Sequence, residues 1–242
     1  MASKLYQILG SDTNKPVIDK GTLALTNSQP PTITGLNVAY SGPRLPIDQE
    51  TRLLAALAYG EAGKANLPKE MGGIANVLVR QKTARGFHSL REFIKKTPTF
   101  AYAAGDGNQH YKDLMAATET DINFKYQEMA DAVAVARSAL SSSGIDYSNG
   151  AYFWDGTDIK SNYADHPKVI AGIYFTEPAH NIYGIKATTL PGEVWWKDAK
   201  GHKTKIRGKW NYKYESTAAW GGTIFWRYNK DFITASGNTE YD

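Results

Sequence analysis

The chain has 242 residues, 42% hydrophobic and 21% charged, a composition that suits one large or two small globular domains and excludes a wholly disordered polymer. No apolar run approaches the roughly 18 residues of a membrane-spanning helix, so no membrane insertion is expected. Cysteine is absent, which removes disulfide frameworks, thiolate metal sites and every mechanism with a cysteine nucleophile. The net charge of +4 and pI near 9.0 favour anionic polymers in general. The basic residues are spread out, densest from Lys197 to Lys213, and lack the footprint of a dedicated nucleic-acid binder, so no nucleic acid partner is expected.

Residues 1–46 hold five of the ten prolines among Asn, Ser, Thr and Gly and read as an extended N-terminal arm. The first residues carry only scattered apolar positions, short of the roughly 7 to 15 consecutive ones of a secretory segment. Sec export is therefore not expected. From 47 to 242 the pattern reads as a single α+β domain, helical over 47–145 and β-rich over 146–242.

Asp48 caps a helix whose apolar residues Leu53, Leu54, Leu57, Ala58 and Ala62 recur at three- and four-residue intervals. Glu61 falls on the same stripe near the helix end, with Gly63 available as C-cap. Partial burial and the negative end of the helix dipole both disfavour an ionised carboxylate there, and a carboxyl that keeps its proton near neutral pH is what a general acid requires. On spacing alone a glutamate that pairs with Lys64 or Arg80, or that ends the helix in water, is the commoner arrangement, so a further signal is needed. A second helix fits Pro68 to about Thr83 around Met71, Ile74, Ala75 and Leu78. Its Gly72-Gly73 pair calls for close packing, with the Glu61 helix as the expected neighbour.

Ser89 and Glu92 make a capping box for a third helix, and Phe124 to Leu140 reads as one long alanine-rich helix. All six Trp lie beyond Ile145. Strands are expected over 151–154, 169–175 and 223–228, with a hairpin turning near Lys200-Gly201. Five scattered histidines with no His-x-x-x-His pair, no phosphate-binding glycine fingerprint and no Gly-x-Ser-x-Gly elbow leave no expected metal or cofactor.

The stretch Leu54-Ala-Ala-Leu-Ala-Tyr-Gly-Glu-Ala-Gly63, followed by Gly72-Gly-Ile-Ala-Asn-Val-Leu-Val-Arg80, resembles the SleB-like cell wall hydrolases. That family has a leucine-rich helix ending in Tyr-Ala-Glu-Ala and a following helix with an Ala-Val-Ile-Leu-Asn-Arg-like run. The similarity continues in order through Phe87 to Ile94, Phe100, Gly105-Asp-Gly107, Ser148-Asn-Gly-Ala-Tyr-Phe-Trp154 and Gly222-Thr-Ile-Phe225, covering about residues 50 to 230. Val79 stands where the family has Asn before Arg80, the family's C-terminal His is replaced around Thr223-Ile224, and residues 176 to 218 look longer than the usual connection. That longer segment would serve as a substrate lid or a surface for a partner protein.

The resemblance implies a lysozyme-like helical core that cleaves the β-1,4 bond between N-acetylmuramic acid and N-acetylglucosamine in peptidoglycan, with Glu61 as the catalytic glutamate. A hydrolase needs a second carboxylate, for which Asp106, Asp155 and Asp158 are candidates. A lytic transglycosylase uses one glutamate as acid and then base while the muramic acid 6-hydroxyl attacks. Phe100, Tyr102, Tyr152 and Trp154 are candidate platforms for pyranose rings, against core packing as their other use, and Gln109 and Asn149 are candidate partners for acetamido groups. A wall-cutting enzyme without a Sec segment implies an antibacterial effector carried to the periplasm of a target bacterium by a contractile, type VI-like secretion system and blocked in the producer by a cognate immunity protein. A phage lysis or tail protein, or a non-catalytic peptidoglycan-binding module, is the competing expectation.

Overall fold

The computed structural model describes residues 45–242 apart from residues 64, 142 and 143, so the expected arm over 1–46 lies almost wholly outside the described residues. Ten helices and six strands follow in order among those described. They are α1 (Gln49–Glu61), α2 (Pro68–Ala84), α3 (Leu90–Lys96), α4 (Tyr102–Gly105), α5 (Gln109–Ala116), α6 (Glu119–Phe124), α7 (Gln127–Leu140), β1 (Phe153–Asp155), α8 (Asp158–Ser161), α9 (Pro167–Ala171), β2 (Ile173–Tyr174), β3 (Gly192–Lys197), β4 (Lys203–Trp210), β5 (Tyr214–Trp220), β6 (Thr223–Tyr228) and α10 (Lys230–Ser236). Short 3₁₀ turns occupy Pro98–Phe100 and Pro178–His180. The class is α+β.

Helix α1 is the centre of the helical part. Asp48 accepts the Thr51 amide at 2.9 Å, the side-chain cap that the sequence signals. Residues Leu53 to Tyr59 are all buried, so the expected stripe is in fact an apolar surface on every side, packed by α2, α5 and α7. Ala55, Ala56 and Ala58 let these neighbours approach, while Leu54 and Leu57, fully buried, each contribute about 1.5–3 kcal/mol. The helix ends at Glu61 with Ala62, in extended backbone, as C-cap. Gly63 is therefore not the cap.

Helix α2 begins with Pro68 in its first turn and buries Met71, Ile74, Ala75 and Leu78 completely. Its two glycines do not face α1. A Cβ on Gly72 would come within 2.5 Å of the Tyr147 ring and one on Gly73 within 2.4 Å of the Phe225 ring. The sheet side of the molecule, rather than the neighbouring helix, is what the glycines admit. Ser89 accepts the Glu92 amide at 3.2 Å to start α3.

The expected long helix over 124–140 is α7, which starts three residues later at Gln127 and is preceded by the separate short helix α6. Thr118 caps α6 through the Asp121 amide, and Tyr126, with φ −120° and ψ 97°, leaves helical space and starts α7. The expected strand over 169–175 is divided, helical over 169–171 and strand only over Ile173–Tyr174. Pro167 opens α9 after His166, Gly172 at φ +92° ends it, and only Ile173 and Tyr174 pair in the sheet.

Strands β1, β6, β5 and β2 lie side by side in that order, antiparallel except for β2 on β5. An irregularity between Ser216 and Ala218 bulges Thr217 out of register. Strands β3 and β4 form a separate antiparallel ribbon turning at Gly201, whose φ is +86°, at the expected hairpin. The ribbon packs on α10, where a Cβ on Gly208 would meet Ala235 at 2.6 Å. One core joins α1, α2, α3, α5 and α7 to Phe225, and a smaller one gathers Ile159, Val169, Ile173, Ile224 and Trp226. No helix among the described residues is long and apolar enough to cross a membrane.

Candidate active site

Glu61 closes α1 at the edge of a cleft of about 670 Å³, a volume in the range of small-ligand sites. One wall comes from the helical half through Glu61, Phe100 and Tyr102, and the other from the β half through Phe153, Trp154 and Tyr214. Asp155, Asp158, His166 and Lys168 add a polar cluster to the second wall.

The position of Glu61 is built by small residues. Gly60 has no Cβ, and one placed there would come within 2.7 Å of the Ala103 Cβ, so α4 can lie against the end of α1. Asn108 fixes the contact: its amide donates to the Gly60 carbonyl at 2.9 Å while its carbonyl oxygen caps α5 through the Tyr111 amide at 3.1 Å. As a result Ala103 donates its backbone N–H to Glu61 Oε1 at 2.7 Å. Burial pushes the Glu61 carboxyl above the usual carboxylate range, the Ala103 hydrogen bond opposes this, and the negative charge of Asp106 adds to the rise. The net direction is upward. Of the two expected structural partners, Arg80 pairs with Asp146 instead, and Lys64 lies outside the described residues.

On the facing wall Lys168 Nζ sits 2.8 Å from Asp155 Oδ1, and His166 Nε2 lies 3.4 Å from both Asp155 Oδ1 and Asp158 Oδ2. Asp155 is 8% and His166 6% exposed. Donor atoms of Asp155, Asp158 and His166 all fall within 4.8 Å of one another, a spacing that would suit a cation, and the Lys168 ammonium already supplies positive charge to this group. Lys168 also lies over the rings of Phe153 and Tyr214. Burial, with the neighbouring Tyr228 hydroxyl second, pushes the Tyr214 phenol far up, so it remains a neutral hydrogen-bonding group.

Of the residues singled out from sequence, Glu61, Phe100, Tyr102, Trp154, Asp155 and Asp158 line this one cleft. The others are used elsewhere. Asn149, at φ +49°, donates to the Thr217 carbonyl at 3.0 Å and holds the β5 bulge. Tyr152 lies under the Arg80 guanidinium, 5.6 Å from ring to cation, beside a different depression. Gln109 donates to Asp113 at 2.6 Å on the surface. Asp106 accepts the Asn108 amide at 2.9 Å and reaches Glu61 only through its charge.

Sequence reasoning missed His166 and Lys168, although Asp155-Gly-Thr-Asp158 followed shortly by a histidine was a signal once carboxylates and imidazole are weighed together. It also missed Glu70, which is fully buried. Its Oε1 accepts the Gly63 amide at 3.2 Å, the Gly222 amide at 3.0 Å and the Thr223 hydroxyl at 2.8 Å. One carboxylate thus ties the segment after Glu61 to the β5–β6 turn and to Thr223 in the cleft wall. Gly221 is required beside it, because a Cβ there would lie 2.2 Å from Glu70 Oε2.

Comparison of the chain with protein-family models, with curated proteins and with solved structures finds no match. The chemistry of the cleft is therefore read from its own residues.

Proposed function

We propose that the chain is a peptidoglycan-cleaving enzyme of lysozyme-like, SleB-like type that breaks the N-acetylmuramic acid to N-acetylglucosamine β-1,4 bond with Glu61 as acid and base. The observation that carries this reading is a half-buried carboxyl with raised proton affinity at the edge of a cleft walled by aromatic rings. Glu61 donates its proton to the glycosidic oxygen as the ring carbon takes on oxocarbenium character. The Ala103 amide then steadies the carboxylate left behind. Phe100, Tyr102, Trp154 and Tyr214 offer apolar faces to sugar rings, and the polar cluster opposite offers hydrogen bonds to their rims.

Asp155, held by Lys168 and His166, and Asp158 beside it are the second carboxylates of this reading. Either would activate water for hydrolysis. In the transglycosylase variant Glu61 alone recovers a proton from the muramic acid 6-hydroxyl. The partners that belong to the reading are peptidoglycan glycan strands and, for an antibacterial effector, an immunity protein that fills the cleft.

Digestion of purified sacculi followed by mass spectrometry tests the proposal. Reducing muramic acid ends support hydrolysis and anhydro-muramic ends support transglycosylation. Sacculi left intact by the wild-type chain would refute both.

A further inference from the structure

Strands β3 and β4 stand apart from the main sheet and carry an unusual share of the charge. Residues 192–210 hold six basic side chains, Lys197, Lys200, Lys203, Lys205, Arg207 and Lys209, against two acidic ones, Glu193 and Asp198. The excess of four equals the formal net charge of the whole chain, +4. The remainder of the chain is therefore neutral on balance, and the ribbon is its cationic element.

The pleat sorts these groups onto one face. Lys203, Lys205, Arg207 and Lys209 alternate along β4 and are all exposed, whereas Ile206, Gly208 and Trp210 between them are partly buried, with Gly208 and Trp210 turned to α10. Cross-strand partners share a face, and the register, through two irregularities, sets Trp196 opposite Lys205, Lys197 opposite Lys203 and Glu193 opposite Lys209, an exposed ion pair at 3.5 Å that solvent screens. Trp196 is 55% exposed, with the Arg207 guanidinium 5.2 Å above its ring. Two lysines directly opposite each other and a half-bare indole both cost folding stability. Charge on an edge strand guards against aggregation, but that purpose requires neither the opposed lysines nor the exposed tryptophan.

The ribbon is not loosely attached. Trp210 packs on Phe232 at 5.2 Å, Phe232 on Tyr228 at 5.2 Å, Tyr228 on Tyr214 at 5.0 Å, and Tyr214 belongs to the cleft wall. A run of ring contacts thus joins the α10-facing side of the ribbon to the site.

We infer that the solvent face of the β3–β4 ribbon is a second, non-catalytic docking surface for the glycopeptide, binding the carboxylates of its peptide stems through Lys203, Lys205 and Lys209 and a sugar face through Trp196. The inference rests on the proposed function for the identity of the polymer. Lysine ammonium groups on one face suit carboxylates repeated along a strand, and an exposed indole among them suits a polymer that also presents sugar rings. A purely anionic chain would leave the open part of that indole, beyond its contact with Arg207, uncovered.

The test uses the full chain carrying Glu61→Gln, so that binding is measured without cutting. Co-sedimentation with purified sacculi is compared for this chain and for the same chain with Lys203→Glu, Lys205→Glu and Lys209→Glu. The expected result is at least a tenfold loss of affinity on charge reversal, a similar loss when the stem carboxylates of the sacculi are converted to amides by carbodiimide coupling with ammonia, and weakening of the parent chain's binding as salt is raised. Trp196→Ala, with the charges intact, should weaken binding to intact sacculi as well. Unchanged binding after charge reversal, equal binding to sacculi with amidated stem carboxylates, or equal affinity for single-stranded DNA would overturn the inference. Should the wild-type chain leave sacculi uncut while ribbon-dependent binding persists, the catalytic reading fails and the docking surface stands.

Discussion

Ala103 reaches Glu61 because residue 60 is glycine: the 2.7 Å hydrogen bond from the Ala103 amide to Glu61 Oε1 needs α4 to lie where any side chain on residue 60 would be, 2.7 Å from the Ala103 Cβ. Gly60→Ala should therefore push α4 away from the end of α1. The expected outcome is a loss of about 1–3 kcal/mol in denaturant unfolding together with a fall in cleavage of roughly tenfold or more as Glu61 loses its orienting donor. Activity that stays at the wild-type level would show that the contact does not matter to the chemistry.

If Glu61 is the acid of the proposed reaction, the pH dependence of cleavage follows from the direction of its shift. Burial raises the carboxyl's affinity for its proton, so the acid form persists above the ordinary carboxylate range and the rate should fall as pH rises through the raised value. Asp106 contributes to the rise, so Asp106→Asn should move this limb to lower pH while leaving cleavage at the acid end close to wild type. A carbon-detected NMR titration of the Glu61 carboxyl, run on both chains, checks the assignment.

Stability should respond to the same group with the opposite sign to a salt-bridged acid. The folded chain binds the Glu61 proton more tightly than the unfolded one, so stability falls as pH rises from the unfolded value through the raised folded value. Glu61→Gln removes that penalty. Its melting temperature at neutral pH should equal or exceed that of the wild type, measured by calorimetry.

Asp146 behaves the other way. Burial pushes its carboxyl up, but the Ser148 hydroxyl, the Arg80 guanidinium and the Gly150 and Ser148 amides together hold it below the usual range. Stability from this knot is complete above the unfolded carboxylate value and is lost as pH falls through the lowered folded one. Asp146→Asn should cost on the order of 1.5–3 kcal/mol at neutral pH, and the difference from wild type should shrink in acid unfolding titrations.

Glu70→Ala should be among the most damaging changes outside the large apolar residues. It leaves the part-buried Gly63 and Gly222 amides and the buried Thr223 hydroxyl without their acceptor, at about 1–3 kcal/mol for a fully buried group left unsatisfied and less for one that water reaches. Denaturant titration should show a loss of several such increments, and surviving protein should exchange the Gly222 amide faster.

What could be read from the sequence was whatever depends on neighbours along the chain. The Asp48 and Ser89 caps, Pro68 at the head of α2, the Gly201 turn and β6 are local, and Glu61 was legible because a carboxylate broke an otherwise apolar run. What escaped depends on distant segments. The Gly72-Gly73 pair announced a close approach, but the rings of Tyr147 and Phe225 that fill it come from beyond residue 140.

The Asn149-Gly150 block looked like a binding motif and is a turn, its side chain spent on the Thr217 carbonyl. Gln109 and Tyr152 likewise carry no mark in the sequence that would say which loops they face. The β propensity of Val169 and Ile170 misled because Pro167 and Gly172 set the backbone there. His166 and Lys168 meet Asp155 only after the chain turns back, so no spacing rule on a single helix would have joined them.

The central claim is that one proton on Glu61 cuts a glycan strand. The most direct measurement is the release of soluble muropeptides from one preparation of sacculi by equal amounts of folded wild-type and Glu61→Gln chains. The account predicts release by the wild type and a reduction of about a hundredfold or more in the variant, with both chains still sedimenting with the wall. Equal release by the two chains would contradict it.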